Sequence, residues 1–178
     1  MSRIEHNQGA EIFKMLVMGW LMRDDHIHQM GEELKKSLME DLALHMNQIN
    51  TSRIRWPDLQ KWFCKICTFQ PEDEQRFLLD LRNATFLVRK EGEDFSFAHY
   101  SFQEYFLALR LHRSLEERDP AVWLNVKPSK ATFEFLVQHH HSCLPYKKEA
   151  ISEWLKKSSG GHELAKEFPQ LSEILEVE

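Results

Sequence analysis

The chain has 178 residues, 42% of them hydrophobic and including 12 Phe and 5 Trp, enough for one packed domain with a small helical appendage. Its formal net charge of -5 argues against a dedicated nucleic-acid binder, whose domain is basic on at least one face. Three cysteines, an odd number, without a secretory leader point to a reducing, cytoplasmic setting rather than a disulfide framework.

Residues 10–23 read as a helix with Ile12, Phe13, Leu16, Trp20 and Leu21 on its buried side. The apolar run Met15–Met22 inside it is too short to span a bilayer, so no membrane partner is expected. Asp24–His28 breaks the pattern as a loop. From Glu32 to Asn47, Leu34, Leu38, Leu42 and Met46 recur every four residues, which predicts a helix with Glu32, Lys35, Lys36 and Glu40 facing water. Asn47–Ser52 is rich in turn formers. Arg53–Trp56 follows as a short strand, and Pro57 suits the first position of a helix running to about Cys67. Pro71 opens a further helix to Asn83, with acids in its first turn and Phe77, Leu78 and Leu81 apolar.

The sheet material then appears. Residues 85–90 read as a strand by their β-branched and aromatic content, residues 95–100 alternate like a half-buried strand, and Glu91–Asp94 between them, with Gly92, forms a hairpin tip. Ser101-Phe-Gln-Glu104 has the spacing of a capping box, in which the serine hydroxyl and the glutamate carboxylate satisfy free N–H groups of a first helical turn. Phe102, Tyr105, Phe106 and Leu109 give the helix that follows, to about Leu115, an aromatic face. Glu116–Pro120 is a charged linker. Helices are predicted over 129–139, with Phe133, Leu136 and Val137 apolar, and over 147–157, with Ile151, Trp154 and Leu155 apolar. Ser158–Gly161 is a helix stop or a flexible link, and Leu164, Phe168, Leu171 and Ile174 mark a short amphipathic helix in the tail. The fold class is therefore mainly α: a winged helix, with one small antiparallel β-hairpin, flanked by helical segments. Its divisions are a lead-in helix over 1–29, the winged helix with its C-terminal helix over 30–117, and a helical extension over 118–178.

The stretch Phe95-Ser-Phe-Ala-His99-Tyr-Ser101-Phe102-Gln-Glu104-Tyr105-Phe106-Leu-Ala108 carries the functional signal. It resembles the end of the winged-helix segment in NACHT-type STAND NTPases, whose pattern there is aromatic-x-aromatic-x-His-x-Ser-Phe-x-Glu-Tyr-Phe-x-Ala. Ala43–Met46, Ile54–Pro57 and Phe77–Asn83 are similar to the preceding winged-helix elements of bacterial members, so the resemblance covers roughly residues 10–115. It implies that His99 contacts the β-phosphate of ADP in a larger parent protein and holds the winged helix against the ATPase core. A ring N–H beside a helix N-terminus is a suitable phosphate donor. The implied partners are the ATPase core of the same polypeptide and, once activated, further copies of the parent, with ADP or ATP and magnesium as the parent's cofactors. A role in antiphage defence is a further implication.

The chain itself has no Gly-x-x-x-x-Gly-Lys-Ser/Thr loop and no strand ending in paired carboxylates, so neither catalysis nor a cofactor of its own is expected. Two other classes compete. A winged helix can read DNA, but the helix at 71–83 carries Glu72, Asp73, Glu74 and Asp80 against only Arg76 and Arg82, which repels phosphate. A zinc-stabilised module could pair Cys64-x-x-Cys67 with His139–His141 and Cys143. Cys64 and Cys67, however, fall on one face of an amphipathic helix without the glycine turn of a zinc knuckle, so no metal site is expected.

Overall fold

The computed structural model describes residues 12–19, 31–66, 87–90 and 94–175. The protein is mainly helical around a small three-stranded antiparallel sheet. A helical segment at 12–19 (α1) precedes α2 (Glu32–Gln48), β1 (Ile54–Arg55), α3 (Trp56–Ile66), β2 (Leu87–Arg89), β3 (Asp94–Phe97) and α4 (Tyr100–Glu117). A one-turn 3-10 helix, Pro120–Trp123, leads into α5 (Lys130–Ser142), α6 (Pro145–Lys157), α7 (Ser159–Glu167) and the single turn α8 (Ser172–Leu175). Among the described residues no helix is long and apolar enough to cross a membrane.

The sheet order is β1-β3-β2, all antiparallel, so the strand arriving last in sequence lies in the middle. Leu87 pairs with Phe97 and Arg89 with Phe95, while Ile54 from the first strand pairs with Phe95 from the other side. This is the arrangement of a winged helix: a short strand between α2 and α3 closes onto the hairpin. The expected hairpin is present, with its strands shorter than the alternation suggested and its tip at 91–93 outside the described residues. Phe95 and Phe97 are buried, against Trp56 at 5.4 Å and against Phe106 of α4 at 5.9 Å between ring centroids. The predicted helix at 71–83 lies outside the described residues, as do Trp20, Leu21 and Cys67.

Helix α4 is the axis of the molecule. Every residue from Phe102 to Leu109 is buried, because α2 covers it on one side and α5 on another. Phe13 of α1 joins Phe102, Tyr105 and Phe135 in an aromatic cluster with centroid separations of 5.1–5.8 Å. The side of α1 differs from expectation: Val17 is buried, whereas Ile12 and Leu16 are exposed. Leu34, expected in the apolar stripe of α2, is exposed as well.

Glu40, expected to face water, is buried at 4% exposure where α2 meets α4. Arg113 explains the placement, since its guanidinium lies 3.2 Å from the Glu40 carboxylate and 3.0 Å from the Ser37 hydroxyl. Asp41 beside it receives Arg110 at 2.8 Å. The turn-rich residues after α2 form a clasp. Asn47 exchanges two hydrogen bonds with the backbone of Lys127, at 2.8 and 3.2 Å, and the Gln48 amide donates to the carbonyls of Val122 and Leu124.

Several helix ends lie elsewhere than the sequence reading puts them, α5 running past 139 to Ser142 and α6 starting before 147 at Pro145. Helix α4 continues to Glu117 and stops when Arg118 adopts the left-handed conformation (φ 58°), with the Asp119 N–H bonded back to Ser114 O at 2.9 Å. This is a Schellman stop, made here without the usual glycine. Ser158–Gly161, expected as a stop or link, is a tight junction: the Ser158 hydroxyl donates to Trp154 O, ending α6, and accepts from Gly161 N–H, starting α7.

Candidate functional site

The joint between β3 and α4 carries the histidine singled out by the motif. After Phe97 the strand ends, and His99 takes an extended conformation (φ -142°, ψ 147°) as the N-cap of α4. Its ring Nδ1 accepts the Ser101 N–H at 3.2 Å, and its carbonyl accepts the Phe102 N–H at 3.0 Å. An Nδ1 that accepts a hydrogen bond bears no proton, so the neutral ring carries its proton on Nε2. His99 and Tyr100 are both exposed, which leaves this N–H on the surface at the positive end of a long helix.

The expected cap is thereby corrected. The acceptor is the imidazole of His99, not the hydroxyl of Ser101, and the helix begins two residues earlier than the motif suggests. Glu104 does not complete a capping box. It is buried, and its Oε1 accepts the hydroxyl of Ser129 at 2.5 Å. The reason is the position of Ser129: as N-cap of α5 it sits over the first turns of α4 and offers a donor where Glu104 would otherwise be buried without one.

A second polar cluster lies some four turns further along α4, about 20 Å away at 1.5 Å per residue. There His112, almost fully buried, faces His139, His140 and Cys143 at the end of α5. His112 Nε2 lies 3.3 Å from His140 Nδ1 and 3.8 Å from Cys143 Sγ, and its Nδ1 lies 4.0 Å from Glu116. Burial, reinforced by the neighbouring histidines, lowers His112 to about 2. Burial likewise lowers His139 and His140 to about 4 and raises the Cys143 thiol. The imidazoles are therefore neutral, with lone pairs available. The cluster opens on a groove of about 400 Å³ between α2, α4 and α5, whose rim includes Lys36, Arg113, Glu116 and Lys147.

Cys64, the first half of the Cys-x-x-Cys pair considered from sequence, is exposed on α3 and is not part of this group. Sequence reasoning passed over His112 and Glu116. The signal was available, since His112/Glu116 and His139/Cys143 are each four apart and so share a helix face. That the two faces oppose one another was not readable, because it depends on how α4 and α5 cross. No protein-family model, no curated protein and no solved structure matches this chain.

Proposed function

We propose that this chain is the regulatory module of a NACHT-type STAND NTPase. It docks on the ATPase core of the same polypeptide in the cytoplasm and helps to hold the ADP-bound, autoinhibited state; release on exchange for ATP permits oligomerisation, with antiphage defence as its setting. One observation carries the reading. At the end of the central strand of a winged-helix sheet, an exposed histidine is fixed by its own capping bond in the tautomer that presents Nε2–H outward. A donor so placed beside a helix N-terminus suits a phosphate oxygen of a nucleotide supplied by another domain. A contact made only in the closed state shifts the equilibrium toward that state.

The test is His99→Asp in the polypeptide that carries the core. Aspartate is a good N-cap, so α4 stays anchored, while its charge repels phosphate. Faster ADP loss and a larger oligomeric fraction are expected, with unchanged folding by circular dichroism. Unaltered ADP retention would remove His99 from the sensor role. For the chain alone, calorimetry should detect no tight binding of ADP or ATP and no hydrolysis. Affinity at the micromolar level or better would place a complete nucleotide site within it. A sequence-specific shift of duplex DNA at physiological salt would favour a DNA-binding regulator instead.

A further inference from the structure

The cluster at the far end of α4 is poorly explained as packing. It places three imidazoles and a thiol at a helix crossing where apolar side chains would serve better. The donor set instead suits a borderline-soft ion. One ligand atom from each of His112, His139 and Cys143 lies within 4.8 Å of the others.

We propose that His112, His139 and Cys143 bind one zinc ion, stapling α4 to α5, with the fourth coordination position open to the groove. Distances support the assignment. Bonds of about 2.0–2.1 Å to nitrogen and 2.3 Å to sulfur at tetrahedral angles require an N···S edge of about 3.6 Å. His112 Nε2 and Cys143 Sγ are 3.8 Å apart. Rotation of the half-buried His139 ring, whose centroid is 4.7 Å from that of His112, supplies the remaining closure. Backbone spacing helps, because His139 and Cys143 stand one turn apart and grip the ion from a single helix end.

Glu116 completes the arrangement. Standing one turn after His112, it faces the other ring nitrogen, Nδ1, at 4.0 Å. That is beyond hydrogen-bond distance; drawn in on metal binding, the carboxylate would accept the N–H and fix the ring with Nε2 toward the metal, the usual support for a zinc-bound histidine. Lys147 holds the carboxylate in turn at 3.0 Å. On binding, the ion takes the Cys143 sulfur as thiolate and its proton passes to solvent; no electron is transferred. The bond from His112 Nε2 to His140 Nδ1 is exchanged for the metal bond.

The full chain, stripped with a chelator, should take up one Zn²⁺ per molecule in calorimetry. With Co²⁺ it should show a thiolate-to-cobalt charge-transfer band and the strong visible bands of four-coordination. Cys143→Ser should abolish the charge-transfer band. His139→Gln, at a half-buried position that folding tolerates, should weaken zinc by at least the roughly 10–100-fold expected for Glu116→Gln. Cys64→Ser combined with Cys67→Ser should leave stoichiometry and band unchanged. The assignment is overturned by the absence of saturable binding at micromolar zinc, by a band that survives Cys143→Ser, or by one lost with Cys64 and Cys67.

Discussion

Ser129 and Glu104, 25 residues apart in sequence, share a hydrogen bond of 2.5 Å that makes the cap of one helix part of the side of another. The Ser129 hydroxyl has a single proton and gives it to Glu104 of α4, so it can only accept from the Thr132 N–H at 3.1 Å and from the Thr132 hydroxyl. Ser129→Ala therefore removes two functions at once. It loses an N-cap, worth roughly 0.5–2 kcal/mol, and leaves a buried carboxyl group without its donor, worth roughly 1–3 kcal/mol more. Urea denaturation should show a loss beyond that of an ordinary cap. A double-mutant cycle with Glu104→Gln should give a clear coupling energy; strict additivity would show that the two residues act independently.

His99 and Ser101 should behave in the reverse of what their order in the motif suggests. The ring of His99 is the capping acceptor, so His99→Ala is expected to destabilise the chain by roughly 0.5–2 kcal/mol, and His99→Asn should recover most of that loss. Ser101→Ala, which removes no cap, should fall within roughly 0.5 kcal/mol of the parent sequence. Thermal melts of the three variants give the ranking. A large loss in Ser101→Ala alone would restore the serine cap.

Glu40 gives the stability a pH dependence. Burial raises its carboxyl from 4.5 to about 7, outweighing the attraction of Arg113 3.2 Å away. The folded state thus binds a proton more tightly than the unfolded chain does. The associated stability is complete below about pH 4.5 and is lost as pH rises through about 7. At 1.36 kcal/mol per pKa unit the whole effect is about 3 kcal/mol at most. Glu40→Gln, which cannot ionise, should flatten this part of the profile. Urea midpoints for both proteins on either side of the window decide the matter: parallel profiles would mean that Glu40 does not titrate there.

The adjacent glycines of the α6–α7 junction should respond to alanine with opposite signs. A Cβ on Gly161 would run into the carbonyl oxygen of Trp154 and come within 2.8 Å of the Leu155 Cα, both backbone atoms that cannot step aside. Overpacking of this kind costs roughly 1–3 kcal/mol or more. At Gly160 the nearest atom is Pro120 Cγ at 3.6 Å, an ordinary contact. Gly160→Ala should therefore stabilise by roughly 0.4–1 kcal/mol, through lower entropy of the unfolded chain. Melting temperatures that move in the same direction for both would refute the steric account.

What could be read from the sequence and what could not divide along physical lines. The hairpin and the helix opening near Pro57 rest on local chemistry: strand patterning around a glycine turn, and the fixed φ of proline. Burial of charged residues was not local. Glu40 and Glu104 sit where periodicity assigns a solvated or capping role, and only Arg113 and Ser129, brought in from distant positions, make their burial tolerable. His99 was recognised as the residue at the joint, yet its cap was given to Ser101, because the choice between two nearby acceptors depends on one extended backbone step. For the histidine–cysteine cluster, each helix showed its own pair of residues. The meeting of the pairs belongs to the crossing of α4 and α5, which no short window contains.

The unbroken burial of α4 from Phe102 to Leu109 also bears on how the molecule comes apart. With α2 bonded to it through Arg110 and Arg113, and α5 through Glu104 and His112, neither half of the chain retains a core without this helix. Its amide protons should therefore exchange with solvent only when the entire fold opens, at the slowest rate in the protein. A chain ended after Glu117 would leave the α5 side of the helix wet. The C-terminal helices thus complete the same cooperative unit as the wing, and a protease that nicks between them should release no stable piece.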